Sequence, residues 1–220
     1  VTTKELLLDA QKNGYAVGAF NVENMEMVQA VIEAAEELHS PVILQTTPST
    51  VKYADVDFFF ANVKTAAEKA TVPVVMHLDH ANTTEAIWKA LDAGYSSVMF
   101  DGSQLPFEEN VRITQEVVKR AEKYKASVEA EIGSVAYLGK TTHKDQLTSP
   151  EEAKAFAEAS GCGCLAVSVG TTHMMRTQTA NIHFDLLEEI QNEVKIPLVI
   201  HGSTGLPDDQ LVKLRSYHVC

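Results

Sequence analysis

Seven short apolar runs rich in β-branched residues, each followed by a segment of helical period, predict an α/β chain. Their spacing of about 25 to 35 residues is the length of one βα unit. The runs also lack in/out alternation, as strands do when helices or a barrel interior cover both faces. Together these observations predict a (β/α)8 TIM barrel whose eighth strand and helix are missing, because complete barrels run to about 250 residues and this chain has 220. A doubly wound open sheet is the alternative α/β architecture. No Gly-x-Gly-x-x-Gly follows the first strand, which weighs against a dinucleotide fold.

The N-terminus, Val1-Thr2-Thr3-Lys4-Glu5, begins inside a helix-like pattern and not with a signal peptide. Strands are expected near Ala16–Asn21, Val42–Gln45, Val74–Leu78, Ser97–Asp101, Ser127–Ile132, Leu165–Val169 and Leu198–His201. Helices are expected near Met25–Glu37, Asp55–Lys69, Thr84–Asp92, Phe107–Lys123, Pro150–Ala159, Phe184–Val194 and Asp208–Ser216. Pro73 and Pro197 stand at strand entrances, where no ladder donor is needed. Gly94 stops the third helix. Thr148 or Ser149 caps the fifth, whose first turn holds Pro150, Glu151 and Glu152, a proline suited to that turn and acids suited to its dipole. Pro207-Asp208-Asp209 opens the last helix. Ser216-Tyr217-His218-Val219-Cys220 reads as the entry to an eighth strand that is then cut off. A barrel of seven strands would leave two open edges.

With 45% apolar and 22% charged residues the chain can build a sizeable core, and nothing along it reads as a linker, so residues 1–220 are expected to form one domain. A formal charge of -12 argues against binding nucleic acid, which needs clustered Lys and Arg. No apolar run of about 18 residues is present, so no transmembrane helix is expected. Three cysteines, two of them flanking Gly163, make a disulfide framework unsuited to this chain and point to a reducing cytoplasm.

The chemistry concentrates where strands end, since side chains at the C-terminal ends of barrel strands converge on the active site. Taken in order, that rim reads Asn21, Gln45 with Thr46 and Thr47, Asp79 with His80, Asp101, Glu131, His173 and His201. Buried ionisable groups are costly unless paired or metal-bound, so a purely structural barrel has no need of such a series. Three neutral imidazoles, His80, His173 and His201, with an open position make a catalytic zinc arrangement. Asp79 is then a candidate acid/base beside the metal, provided the strand ends there, because neighbours on a regular strand face opposite sides. Asp101 and Glu131 are candidates to bind a second cation or to hydrogen-bond a ligating histidine; for Asp101 a helix-cap role is the plain alternative. His77 reads as supporting or core, and His39, His143 and His183 as loop or helix-end residues. Gly170-Thr171-Thr172 and Gly202-Ser203-Thr204-Gly205 offer backbone donors and hydroxyls for a phosphate.

These residues carry a family likeness. The stretches Gly14–Asn21, His77-Leu78-Asp79-His80, Ser97–Ser103 with Leu105–Asn110, Val128–Gly133, Gly170–His173 and His201–Gly205 resemble, in order, the class II metal-dependent ketose-bisphosphate aldolases, the group holding fructose- and tagatose-1,6-bisphosphate aldolases. The resemblance implies that His80, His173 and His201 bind Zn²⁺, that Asp79 is the acid/base at the aldehyde-derived hydroxyl, and that Asp101 and Glu131 line a second or monovalent cation position or the substrate pocket. Asn21, Gly170, Gly202, Ser203 and Thr204 become candidate substrate or phosphate contacts. The reaction implied is cleavage or condensation of a ketose phosphate through the enediolate of dihydroxyacetone phosphate. A homodimer or homotetramer is implied too.

Three departures stand out. Met174 and Arg176 follow the second metal histidine where the family usually has Gly, and Ser134–Lys140 contains neither the usual Gly-Gly nor an acid. The eighth-strand phosphate contacts lie beyond Cys220. Arg176, Lys140 and His143 are therefore candidates to meet a different anionic group, and the alternatives are an isomerase or hydrolase on the same metal, or a non-catalytic sugar-phosphate binder.

Overall fold

Covered faces explain why the β-branched runs become strands: Val42–Thr46, Ser97–Phe100, Ser127–Ile132 and Cys164–Val167 are buried at every residue. The computed structural model describes residues 1–139 and 146–220. Its first elements are α1 (Thr3–Asn13), β1 (Gly18–Asn21), α2 (Met25–Glu37), β2 (Val42–Thr46), α3 (Pro48–Ala54), α4 (Val56–Lys69), β3 (Val74–Ala81), α5 (Thr84–Ala93) and β4 (Ser97–Phe100). There follow α6 (Phe107–Ala121), β5 (Ser127–Ile132), β6 (Ala136–Tyr137), α7 (Pro150–Ser160), β7 (Cys164–Val167), β8 (Thr172–His173), α8 (Phe184–Glu193), β9 (Leu198–Val199) and α9 (Asp208–Leu214). The main sheet takes its strands in chain order, β1-β2-β3-β4-β5-β7-β9. That is the succession of a (β/α)8 barrel, of which the chain carries seven units.

Two compact units divide the chain. The first comprises Val1–Leu7, Val17–Asp101 and Val117–Glu129. Within it β1, β2, β3 and β4 pair in parallel, with Gly18 opposite Val42 and Val42 opposite Val74. Side-chain caps start its helices: Asn24 accepts from Met27 N, Thr47 from Thr50 N and Thr83 from Ala86 N. In β1 all four residues are exposed, and Phe20 keeps 50% of its surface.

β3 departs from expectation in an informative way. It does not end at Leu78 but runs to Ala81. Leu78 lies opposite Val98 and Ala81 opposite Phe100, so Asp79 and His80 together face Met99 alone. This is a β-bulge, and His80 takes the left-handed conformation, φ 46°. The extra residue does what strand termination was expected to do: it frees neighbouring side chains from strict alternation.

The second unit comprises Leu8–Ala16, Gly102–Glu116 and Ala130–Cys220. Its core gathers Phe156, Leu165, Leu187, Ile190, Leu198 and Leu206, all fully buried. β7 pairs in parallel with β9. Ser149, not Thr148, caps α7; Thr148 Oγ1 instead donates to Ile132 O at 2.6 Å. A separate two-stranded sheet pairs β6 with β8, Ala136 opposite Thr172 and Tyr137 opposite His173. Sequence periodicity anticipated neither of these strands, each only two residues long, nor helix α3, whereas α1 begins where the N-terminal pattern reads as helical. β4 stops at Phe100 and β9 at Val199, leaving Asp101 and His201 just past their strands. The three cysteines are buried, and burial pushes the Cys220 thiol up to about 11. No helix among the described residues is long and apolar enough to cross a membrane.

Candidate functional site

In the first unit, the end of β1, the end of β2 and the bulge of β3 build one polar cluster. Asn21 Nδ2 donates to Asp79 Oδ2 at 3.0 Å and Gln45 Nε2 donates to the same oxygen at 3.1 Å. Gln45 Nε2 also reaches Asn21 Oδ1 at 3.0 Å, so the two amides brace each other. Asp79 is 3% exposed, and the two amide donors on its Oδ2 offset part of the cost of burying the carboxylate. Asn21, expected to touch substrate, is thus placed against the candidate acid/base.

His80 stands beside this carboxylate. Its Nδ1 is 2.9 Å from Asp101 Oδ2, while Nε2 lies 3.8 Å from Asp79 Oδ1. The position of Asp101 is fixed by its own backbone, whose N–H donates to Ala81 O at 2.8 Å across the bulge. A carboxylate on one imidazole nitrogen is the usual support for a ligating histidine. Below them His77 is buried, its Nδ1 2.7 Å from Ser97 Oγ and its Nε2 3.7 Å from Glu129 Oε2. The sequence left His77 as supporting or core, and the structure shows it buried against Ser97 and Glu129.

In the second unit, His173 and His201 offer ring nitrogens within 4.8 Å of one another, with ring centroids 5.8 Å apart. His173 belongs to β8, and Tyr137 of β6 stacks on it with centroids 4.5 Å apart and planes 24° off parallel. Leu138 N donates to His173 O at 3.1 Å. His201 is buried in the turn after β9, and Gly202 follows at φ 70°. A Cβ on Gly202 would stand 2.9 Å from Thr172 C and O, so only glycine allows this turn to approach β8. Ser203 Oγ donates to Ile200 O at 2.9 Å, and Thr204 is exposed.

Glu131 is 2% exposed; its Oε1 accepts from Val135 N at 3.2 Å and its carbonyl from Asn110 Nδ2 at 2.9 Å. Gly170, at φ 110°, approaches Asn181 O so closely that a Cβ would sit 2.5 Å away. Next to it the Thr171 hydroxyl is buried without a hydrogen-bond partner among the described residues. Arg176 is exposed and joins no ion pair among them. Lys140 and His143 lie outside the described residues.

The first unit therefore gathers Asp79, His80, Asp101, Asn21 and Gln45, and the second gathers His173, His201 and, through stacking, Tyr137. Sequence reasoning missed Tyr137. Nothing local signals it, because its contact depends on a partner 36 positions away in a strand of two residues.

Comparison with known proteins gives a consistent picture. A family model described as fructose-bisphosphate aldolase class-II matches residues 1–220. The crystal structure of the YdjI aldolase from Escherichia coli K12 is similar at 34% identity and TM-score 0.87, over 100% of this chain and 78% of that one. A putative fructose-1,6-bisphosphate aldolase from Coccidioides immitis is similar at 30% identity and TM-score 0.89, over 99% and 79%. Fructose-bisphosphate aldolase from Campylobacter jejuni shares the fold, with TM-score 0.84 at 24% identity over 100% and 75%.

Proposed function

The chain belongs to the class II fructose-bisphosphate aldolase family, and from that premise we propose that it is a divalent-metal-dependent lyase. It cleaves a ketose phosphate into dihydroxyacetone phosphate and an aldehyde, or condenses the two. The observation that carries this reading is the pairing of Asp79, buried and held by two amide donors, with His80, whose Nδ1 is held by Asp101.

The donor chemistry suits a borderline cation such as Zn²⁺: His80, His173 and His201 are all imidazoles, with no fourth protein ligand required. When bound, the cation supplies Lewis-acid polarisation of the ketose carbonyl. Asp79 accepts the proton of the C4 hydroxyl. That O–H electron pair becomes the aldehyde C=O as the C3–C4 bond breaks, and the electrons of the broken bond move onto the C2 oxygen as the enediolate. Asn21 and Gln45 fix the accepting carboxylate by bonding its Oδ2. In the condensation direction Asp79 returns the proton. Glu131 is reserved for a second or monovalent cation or for the substrate pocket.

The buried Thr171 hydroxyl and the backbone amides of the Gly170 and Gly202 turns support a phosphate subsite in the second unit. Arg176 supports a further anionic group on the substrate. The test is a metal assay joined to a cleavage screen across ketose phosphates differing at C4 and at the distal end. Triose phosphate release that requires added metal and disappears in Asp79→Ala supports the reading. Metal binding without triose release from any of them would favour an isomerase, a hydrolase or a sugar-phosphate binder.

A further inference from the structure

We propose that Tyr137 is a positioning residue for His173, holding its imidazole for metal by ring stacking. This rests on the reading of His173 as a metal ligand. The loop after β5 is where the chain departs most from the family likeness, because Val135-Ala136-Tyr137 replaces a glycine pair and no acid follows among Leu138, Gly139 and Lys140. In its place the structure shows a clip. Ser134 anchors the clip, its carbonyl accepting from Ser168 Oγ at 3.1 Å and its Oγ accepting from Gln104 Nε2 at 2.6 Å. From that anchor β6 runs alongside β8, and Leu138 N closes on His173 O.

A parallel pair two residues long is too small to hold a side chain's direction by ladder bonds alone. The stacked rings add a constraint on the direction of the imidazole. With planes only 24° apart and centroids at 4.5 Å, Tyr137 covers one face of the imidazole. Coordination uses the nitrogen lone pairs, which lie in the ring plane, so a partner on the face restrains the ring without competing for either nitrogen. In the first unit the same restraint comes from Asp101 on His80 Nδ1.

The experiment compares wild type with Tyr137→Phe, Tyr137→Leu and Tyr137→Ala, using Co²⁺ as probe. It reads affinity by chelator competition and ligand geometry by the visible d–d bands. Stacking requires a π face, so Phe should match wild type within about 2-fold while Leu and Ala bind Co²⁺ about 3- to 10-fold more weakly, the range an aromatic pair contributes. Their d–d bands should shift as well. Phe and Leu behaving alike, both near wild type, would show that Tyr137 only fills space and would overturn the proposal. Tyr137→Leu keeps apolar bulk in β6, so the test stands even if the alanine variant fails to fold. Wild type that binds no Co²⁺ would sink the metal reading itself, whereas wild-type binding with an unaltered Leu variant sinks this inference alone.

Discussion

The two units hold their histidines by different physics. In the first, His80 sits on a strand of eight residues, turned by a bulge and held by a carboxylate. In the second, His173 sits on a strand of two residues beside a tyrosine ring, and His201 lies in a turn that only glycine lets close against its neighbour. The first arrangement relies on charge-assisted hydrogen bonds in a buried setting, which are strong and directional. The second relies on steric fit and face contact, which are individually weaker. A ligand of the first kind should tolerate backbone perturbation and fail on loss of charge; ligands of the second kind should do the reverse.

The largest effect expected from breaking the first arrangement is on turnover. Asp79→Ala should lower kcat by about 10²- to 10⁴-fold, the usual worth of a general acid/base, with metal content unchanged in the same preparations. Next comes the support of His80. Asp101→Ala should weaken metal binding by about 10- to 100-fold, measured by chelator competition, while thermal unfolding of the metal-free protein moves little because Asp101 is not in the core.

The second arrangement should respond to shape. Gly202→Ala puts a Cβ against the Thr172 backbone at φ 70° and should cost about 2 kcal/mol of stability, read by denaturant unfolding of the metal-free protein. Unchanged stability would mean that the turn and β8 are not in tight contact. The smallest change is a gain. Met174 is 67% exposed and holds φ 63°, so Met174→Gly should relieve left-handed strain of about 1 kcal/mol at little loss of packing.

The same contrast explains what was legible in the sequence. The α/β class, the seven main strands and the order of the rim residues followed from β-branched runs, helix caps and strand-end polar residues. Helix α3 carried a readable signature, Thr47 as cap with Pro48 in the first turn, but the threonines suggested a rim position instead. The bulge was not legible, because a register slip in β3 depends on β4 and not on the sequence around His80. Tyr137 and the β6–β8 pair were invisible for the same reason in stronger form: with two residues per strand there is no period to detect. Long-range contacts, not local preference, decided those positions.

The central claim is that His80, His173 and His201 share one divalent ion. Elemental analysis of the purified protein after equilibration with Zn²⁺ tests it most directly, in wild type and in His80→Ala, His173→Ala and His201→Ala. The account predicts one tightly held ion per wild-type chain and a large loss of it in each of the three variants. An undiminished ion in any one of them, with the variant folded, would contradict it.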